Sequence, residues 1–185
     1  DSPTSRGKCI FIDFNDWIIK TLEYFKKKKI SDKIAIKPHP DSKEASLVFV
    51  EKLKKDYPEF IWLNKDFSNR SIFKKKPKFG ITVMGTVLHE LAYHNILPIS
   101  AGENSTLNYK FVMTANSKKQ YFDLIEKSLN DRISYKPKKK EILEWVYMTY
   151  LYDKNDNDLF CKKIKLKDWN FGKKDILKKY VNLLN

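Results

Sequence analysis

Residues 80–102 read GITVMGTVLHELAYHNILPISAG, and the hydrophobic period changes twice along them. Gly80-Ile81-Thr82-Val83-Met84 is a strand candidate and Gly85 a turn. Thr86 to His94 has the spacing of a short helix, and Leu97-Pro98-Ile99-Ser100 is a second strand ending in Ala101-Gly102. A strand, a helix and a strand in that order predict two parallel strands joined by a crossover.

The same alternation extends upstream. Trp17, Ile18, Thr21, Leu22 and Phe25 recur at three- and four-residue steps, with Asn15 or Asp13 available as N-cap. Lys26 to Lys29 close that helix, where cations complement the negative end of its dipole. Lys33 to Lys37 reads as a short buried strand, stopped by Pro38-His39-Pro40, since prolines continue neither a ladder nor a helix. Helical spacing resumes over 43–56, Phe60-Ile61-Trp62-Leu63 is the next strand, and Lys74 to Lys78 is a connector. Downstream, Ser117 to Leu129 and Lys139 to Tyr152 are helical. The pattern predicts an α/β fold, a Rossmann-like parallel sheet with helices on both faces, over residues 1–152. Residues 153–185 form a basic and aromatic tail, with a helix from Asp175 to Leu184.

The composition excludes several classes. In 185 residues, 42% hydrophobic and 14% aromatic content is too apolar for disorder, despite a net charge of +14. Two cysteines, Cys9 and Cys161, stand far apart, so the sequence writes neither a disulfide framework nor a zinc site. The most apolar stretch, Ile81 to Ser100, contains His89, Glu90 and His94 and does not read as a membrane span. These features point to a reducing, cytoplasmic setting.

Ligands of an open parallel sheet bind beyond the carboxyl ends of its strands, and three segments fall there. In Lys37-Pro38-His39-Pro40-Asp41, prolines hold the histidine in a stiff loop where imidazole can hydrogen-bond a phosphate oxygen; an exposed loop histidine is the plainer reading. Gly85-Thr86 joins a strand to a helix start, where backbone N–H groups favour an anion, against the plainer reading of turn glycine and N-cap. Thr86, Glu90 and His94 share one side of that helix, while Val87, Leu88, Leu91 and Ala92 form the core stripe. A carboxylate at Glu90 can hold a ribose or sugar hydroxyl, or simply face solvent. The third segment, Ala101 to Thr106, offers a carboxylate, an amide and two hydroxyls, on Glu103, Asn104, Ser105 and Thr106, to a polar ligand, though loops are often this polar.

Together these segments resemble the C-terminal, nucleotide-binding half of GT-B glycosyltransferases, in particular bacterial capsule and surface polysaccharide transferases with an HP motif. The resemblance rests on Asn15-Asp16-Trp17, on IAIKPHP at 34–40 and on ITVMGTVLHELAYHNILPISAGE at 81–103, and covers about half to two thirds of the chain. It implies a donor site for a sugar nucleotide, without metal or further cofactor. Lys37, His39, Gly85, Thr86, Glu90, Glu103, Asn104 and Ser105 would bind the nucleotide. His39 looks like the family's phosphate-contacting histidine and Glu90 like its carboxylate on the nucleoside or donor sugar, the two residues assigned to catalysis. CMP-linked donors and CDP-glycerol are handled by similar proteins, and a sugar-nucleotide epimerase would share the site. The implied partners are a glycan or lipid-linked acceptor and an acceptor-binding half, which would precede Asp1. The chain therefore reads as a fragment or as a stand-alone binding domain.

A second class competes. The charge and the Tyr and Phe residues among lysines suit a nucleic-acid-binding domain. Against it, the cations are almost all Lys, with only Arg6, Arg70 and Arg132, which also suits a solvated surface or one beside anionic inner-leaflet lipids.

Overall fold

The computed structural model describes residues 8–103 and 105–151. Asn104 and the 153–185 tail, including the helix expected from Asp175, lie outside the described residues. The chain divides into two compact units, Phe11–Lys75 and the remainder, called here the 11–75 and the 76–151 unit, the latter including residues 8–10.

In the 11–75 unit, helix α1 spans Phe14–Lys27. Asp13 is its N-cap, accepting the Asp16 N–H at 2.7 Å and so satisfying one orphan helix donor, and Asp16 reaches back to accept the Ile12 N–H of the entering chain at 3.1 Å. Thr21, Leu22 and Phe25 turn inward. Strand β1 is only Ala35–Ile36, preceded by a 3-10 turn at Ser31–Lys33; helix α2 follows at Glu44–Asp56, and strand β2 is Ile61–Trp62. The buried strand expected over Lys33 to Lys37 is thus shorter and shallower, with Ala35 exposed and Ile36 half-buried. β1 and β2 pair in parallel, Ala35 with Ile61 and Ile36 with Trp62. A further helix, α3 at Asn69–Lys74, stands just ahead of the expected connector and buries Phe73.

The 76–151 unit holds the stretch quoted above. Strand β3 is Phe79–Thr82, helix α4 Val87–Tyr93, strand β4 Leu97–Ser100 and strand β5 Met113–Thr114. They form a three-stranded parallel sheet in the order β3-β4-β5. All four residues of β4 are buried, as a central strand covered on both faces requires. Helix α5 is Lys118–Leu129, capped by Ser117, and helix α6 is Lys139–Val146, passing into a π turn at Tyr147–Leu151. α4 and α5 pack on β4, and α4 also meets α6. That meeting makes the core of Leu88, Ala92, Phe111, Ile142, Trp145 and Val146.

The fold is therefore mixed α/β with parallel strands. Those strands fall into two small sheets of two and three strands, where the alternation had predicted one larger sheet. Among the described residues no helix is long and apolar enough to cross a membrane.

Candidate functional site

The carboxyl edge of the three-stranded sheet is built from hydroxyl residues in one row, Thr82 beside Ser100 and Ser100 beside Thr114. Ser100 is fully buried, and its Oγ lies 2.8 Å from the carbonyls of both Val83 and Gly102. Its single hydrogen is shared between two acceptors. With the Ala101 N–H donating to the Thr82 carbonyl at 2.9 Å, this bond draws the segment after β3 and the segment after β4 together. Two of the three sequence-predicted segments thus share one edge.

Thr86 is exposed at the start of α4 but does not cap it. Its backbone is already helical, with φ −63° and ψ −21°, and its side chain makes no cap bond. The first turn closes instead through Leu88 N–H to Gly85 and His89 N–H to Thr86, both at 3.2 Å. α4 has seven residues, so its dipole offers an anion little beyond local N–H groups. The capping role is corrected, which leaves the Thr86 hydroxyl uncommitted to the helix. Glu90 lies half-buried one turn further on, on the expected side with Thr86 and His94.

The three glycines among the described residues separate by cause. A Cβ on Gly80 would stand 2.5 Å from Leu91 Cδ1, so Gly80 lets α4 close on β3. A Cβ on Gly102 would stand 2.8 Å from the Lys8 carbonyl oxygen. At Gly85 the nearest atom is Thr82 Oγ1 at 3.4 Å, an ordinary contact, and the backbone is outside the left-handed region. The demand for glycine is strictest at 102, where the neighbour is backbone, milder at 80, where the Leu91 side chain would have to shift, and absent at 85.

The loop after β4 is partly taken by the chain itself. Cys9 forms an antiparallel bridge with Gly102, Ile10 N–H donates to Ala101 at 3.2 Å, and Glu103 N–H donates to the Lys8 carbonyl at 2.9 Å. The Glu103 carboxylate is exposed, with Oε2 3.4 Å from the Lys8 N–H. Ser105 is exposed, and its carbonyl accepts the Trp145 indole N–H at 3.0 Å. Of the loop's side chains expected to face a ligand, Thr106 is instead buried, because the loop turns it inward, and those of Glu103 and Ser105 are exposed.

Sequence reasoning missed His89. It is buried at 2% exposure, its ring 4.6 Å from that of Trp145 and tilted by 36°. Burial pushes its pKa from the ordinary imidazole value down to about 4, against a smaller opposing contribution from the Thr86 backbone. Its place three residues after Thr86, inside an apolar run, was the available signal.

The third segment belongs to the 11–75 unit. Lys37 is half-buried and His39 is exposed, 71% by side chain. Asp41 N–H donates to His39 Nδ1 at 3.1 Å, so the neutral ring carries its hydrogen on Nε2. Ser42 N–H closes the turn onto the His39 carbonyl at 3.1 Å.

Concavity and chemistry do not coincide. A shallow depression of about 440 Å³ runs along α2 past Leu47, Val48 and Lys52, and one of about 140 Å³ lies at the amino-terminal edge of the larger sheet, beside Lys78 and Asp131. The first is open helix surface and the second is at the wrong end of the strands for a crossover-loop site; the carboxyl edge is preferred on chemical grounds. Among the described residues no group of three or more His, Cys, Asp or Glu side chains is placed to hold a metal ion. Comparison with protein-family models, with curated proteins and with solved structures finds no match for this chain.

Proposed function

We propose that the chain is the donor-binding part of a glycosyltransferase of bacterial capsule or surface polysaccharide synthesis, with a nucleotide-activated sugar as ligand. The observation that carries the reading is Gly85. It is a glycine at a strand's carboxyl end, beside an exposed threonine hydroxyl, that neither backbone conformation nor internal packing demands. A phosphate approaching the backbone is a reason to leave such a position without a side chain. In this reading the Thr86 hydroxyl donates to a phosphate oxygen and Glu90 accepts a ribose or sugar hydroxyl. Such fixed donors stabilise the negative charge that grows on the leaving nucleotide. In the 11–75 unit, the Nε2 hydrogen of His39 is a donor of the kind a phosphate accepts, and Lys37 adds charge. The KPHP and GTxxxE motifs supply the resemblance to the GT-B donor half. A glycan or lipid-linked acceptor, an acceptor-binding half and contact with an anionic membrane surface belong to the same proposal.

Titration calorimetry with CMP, CDP, UDP and GDP tests it. One nucleotide binds selectively, and Gly85→Ala weakens it at least about tenfold while the thermal midpoint stays in place, because a Cβ fits the fold but obstructs the phosphate. His39→Ala tests the 11–75 unit by itself, and unchanged affinity removes His39 from the reading. Equal affinity in Gly85→Ala, or no binding of any nucleotide, removes the reading. Salt-sensitive binding of a single-stranded oligonucleotide without nucleotide preference would put the nucleic-acid reading in its place.

A further inference from the structure

Behind the two strand-end segments, α4 and α6 meet through one polar pair in an apolar core. Trp145 is 2% exposed, and a buried indole is tolerated where its N–H finds an acceptor; that acceptor is the Ser105 carbonyl, 3.0 Å away. The His89 ring packs against the same indole, tilted by 36° with centroids 4.6 Å apart. The His89 backbone N–H donates to the Thr86 carbonyl at 3.2 Å, which ties the residue carrying the ring to the turn at the start of α4. A leucine or phenylalanine would fill this buried position beside Trp145 without the cost of burying an imidazole. The contacts instead form a continuous chain, Thr86 to His89 to Trp145 to Ser105, joining the two segments from behind.

We propose that the His89–Trp145 stack is a brace that positions the Gly85–Thr86 turn and the Ser105 loop relative to each other, so that a change in one is felt at the other. The brace stands on geometry alone. That it serves nucleotide binding rests on the reading above. Both residues are positioning residues, since neither is placed to touch a ligand.

The test uses the full chain and reads backbone amide shifts and hydrogen exchange at Thr86, Val87, Ser105 and Thr106. Trp145→Phe keeps an aromatic ring and removes the N–H that holds Ser105. It is expected to speed exchange at Ser105 and Thr106 and, through the stack, to shift Thr86 and Val87. His89→Phe is expected to act in the reverse direction, and if it does not fold, Trp145→Phe carries the test. Ile142→Val, a loss of packing in the same core that leaves the stack intact, is the control, expected to lower the thermal midpoint and leave both loops unshifted. For the nucleotide that the chain selects, Trp145→Phe should lose about five- to tenfold in affinity and Ile142→Val none. Shifts confined to Ser105 and Thr106 in Trp145→Phe, or equal effects of Ile142→Val, overturn the brace. If no nucleotide binds the wild-type chain, the functional reading fails, while the amide measurements still uphold or overturn the coupling of the two loops.

Discussion

Among the described residues two strand–helix–strand passages join paired parallel strands, β1–α2–β2 and β3–α4–β4, and they bury themselves to different depths. Both join parallel strands through a helix. In the first, two residue pairs hold the strands, Ile61 is 46% exposed, and α2 buries only Leu53 of its 13 residues. In the second, four pairs hold the strands, every residue of β4 is buried, and α4 buries five of seven. Gly80 accounts for part of the contrast, because Leu91 occupies the space where a side chain would stand. Alternation of strand and helix sets the topology, while the closeness of the helix to its strand sets how much apolar surface leaves water, and so how firmly the strand-end loops are held.

The largest expected effect breaks that contrast directly. Leu88 is fully buried on α4 and Val48 is 66% exposed on α2. Leu88→Ala should cost about 3 kcal/mol in urea unfolding, through lost burial and the cavity left behind. Val48→Ala should stay within about 0.5 kcal/mol. Comparable losses would mean that α2 is covered to a similar depth, and the contrast would fall.

Next in size is the effect of pH on the deeper passage. The folded His89 titrates near 4, below the ordinary value of 6.5. Between those values the unfolded chain binds a proton that the folded chain refuses. Stability from this residue is therefore complete above the ordinary value and falls as pH is lowered toward 4, by on the order of 2–3 kcal/mol. Unfolding curves from pH 7 to 4 on the wild type and on His89→Leu check it, the variant lacking this component of the slope. An identical slope in the two would place a charged or solvated imidazole at position 89.

What was legible in the sequence follows the same division. The 80–102 passage was readable because its apolar residues obey clean periods, and local capping chemistry narrowed the α1 cap to Asn15 or Asp13, of which the structure takes Asp13 and leaves Asn15 inside the helix. β5 was missed because two residues, Met113 and Thr114, carry no period, and α3 because six residues bury a single Phe73. The site was half legible. Strand-end position singled out Gly85, Thr86, Glu90, Glu103 and His39 from order alone. The occupation of Gly102 by Lys8 and Cys9, and the stack of His89 on Trp145, arise between residues far apart in the chain, which no local spacing records. Thr86 misled because threonine before an apolar run is a strong cap signal, while its observed helical backbone turns the side chain away from that role.

The smallest expected effect compares the ends of α1 and α4. Both close in the same way. Ile30 N–H reaches the Phe25 carbonyl at 3.3 Å and Ile96 N–H reaches Leu91 at 2.9 Å, each across a residue in the left-handed region, Lys29 with φ 57° and Asn95 with φ 58°. Glycine is the usual occupant because a Cβ there crowds the following carbonyl, a cost that asparagine partly recovers by local hydrogen bonding and lysine does not. Lys29→Gly should therefore stabilise by about 0.5–1 kcal/mol, and Asn95→Gly by no more than a few tenths. The lost charge matters little, since Lys26, Lys27 and Lys28 still face the negative end of α1. Urea midpoints of the two variants decide it: equal gains would show that the backbone, not the residue type, sets the cost, and a loss at Lys29→Gly would show that this lysine holds the 11–75 unit through its side chain.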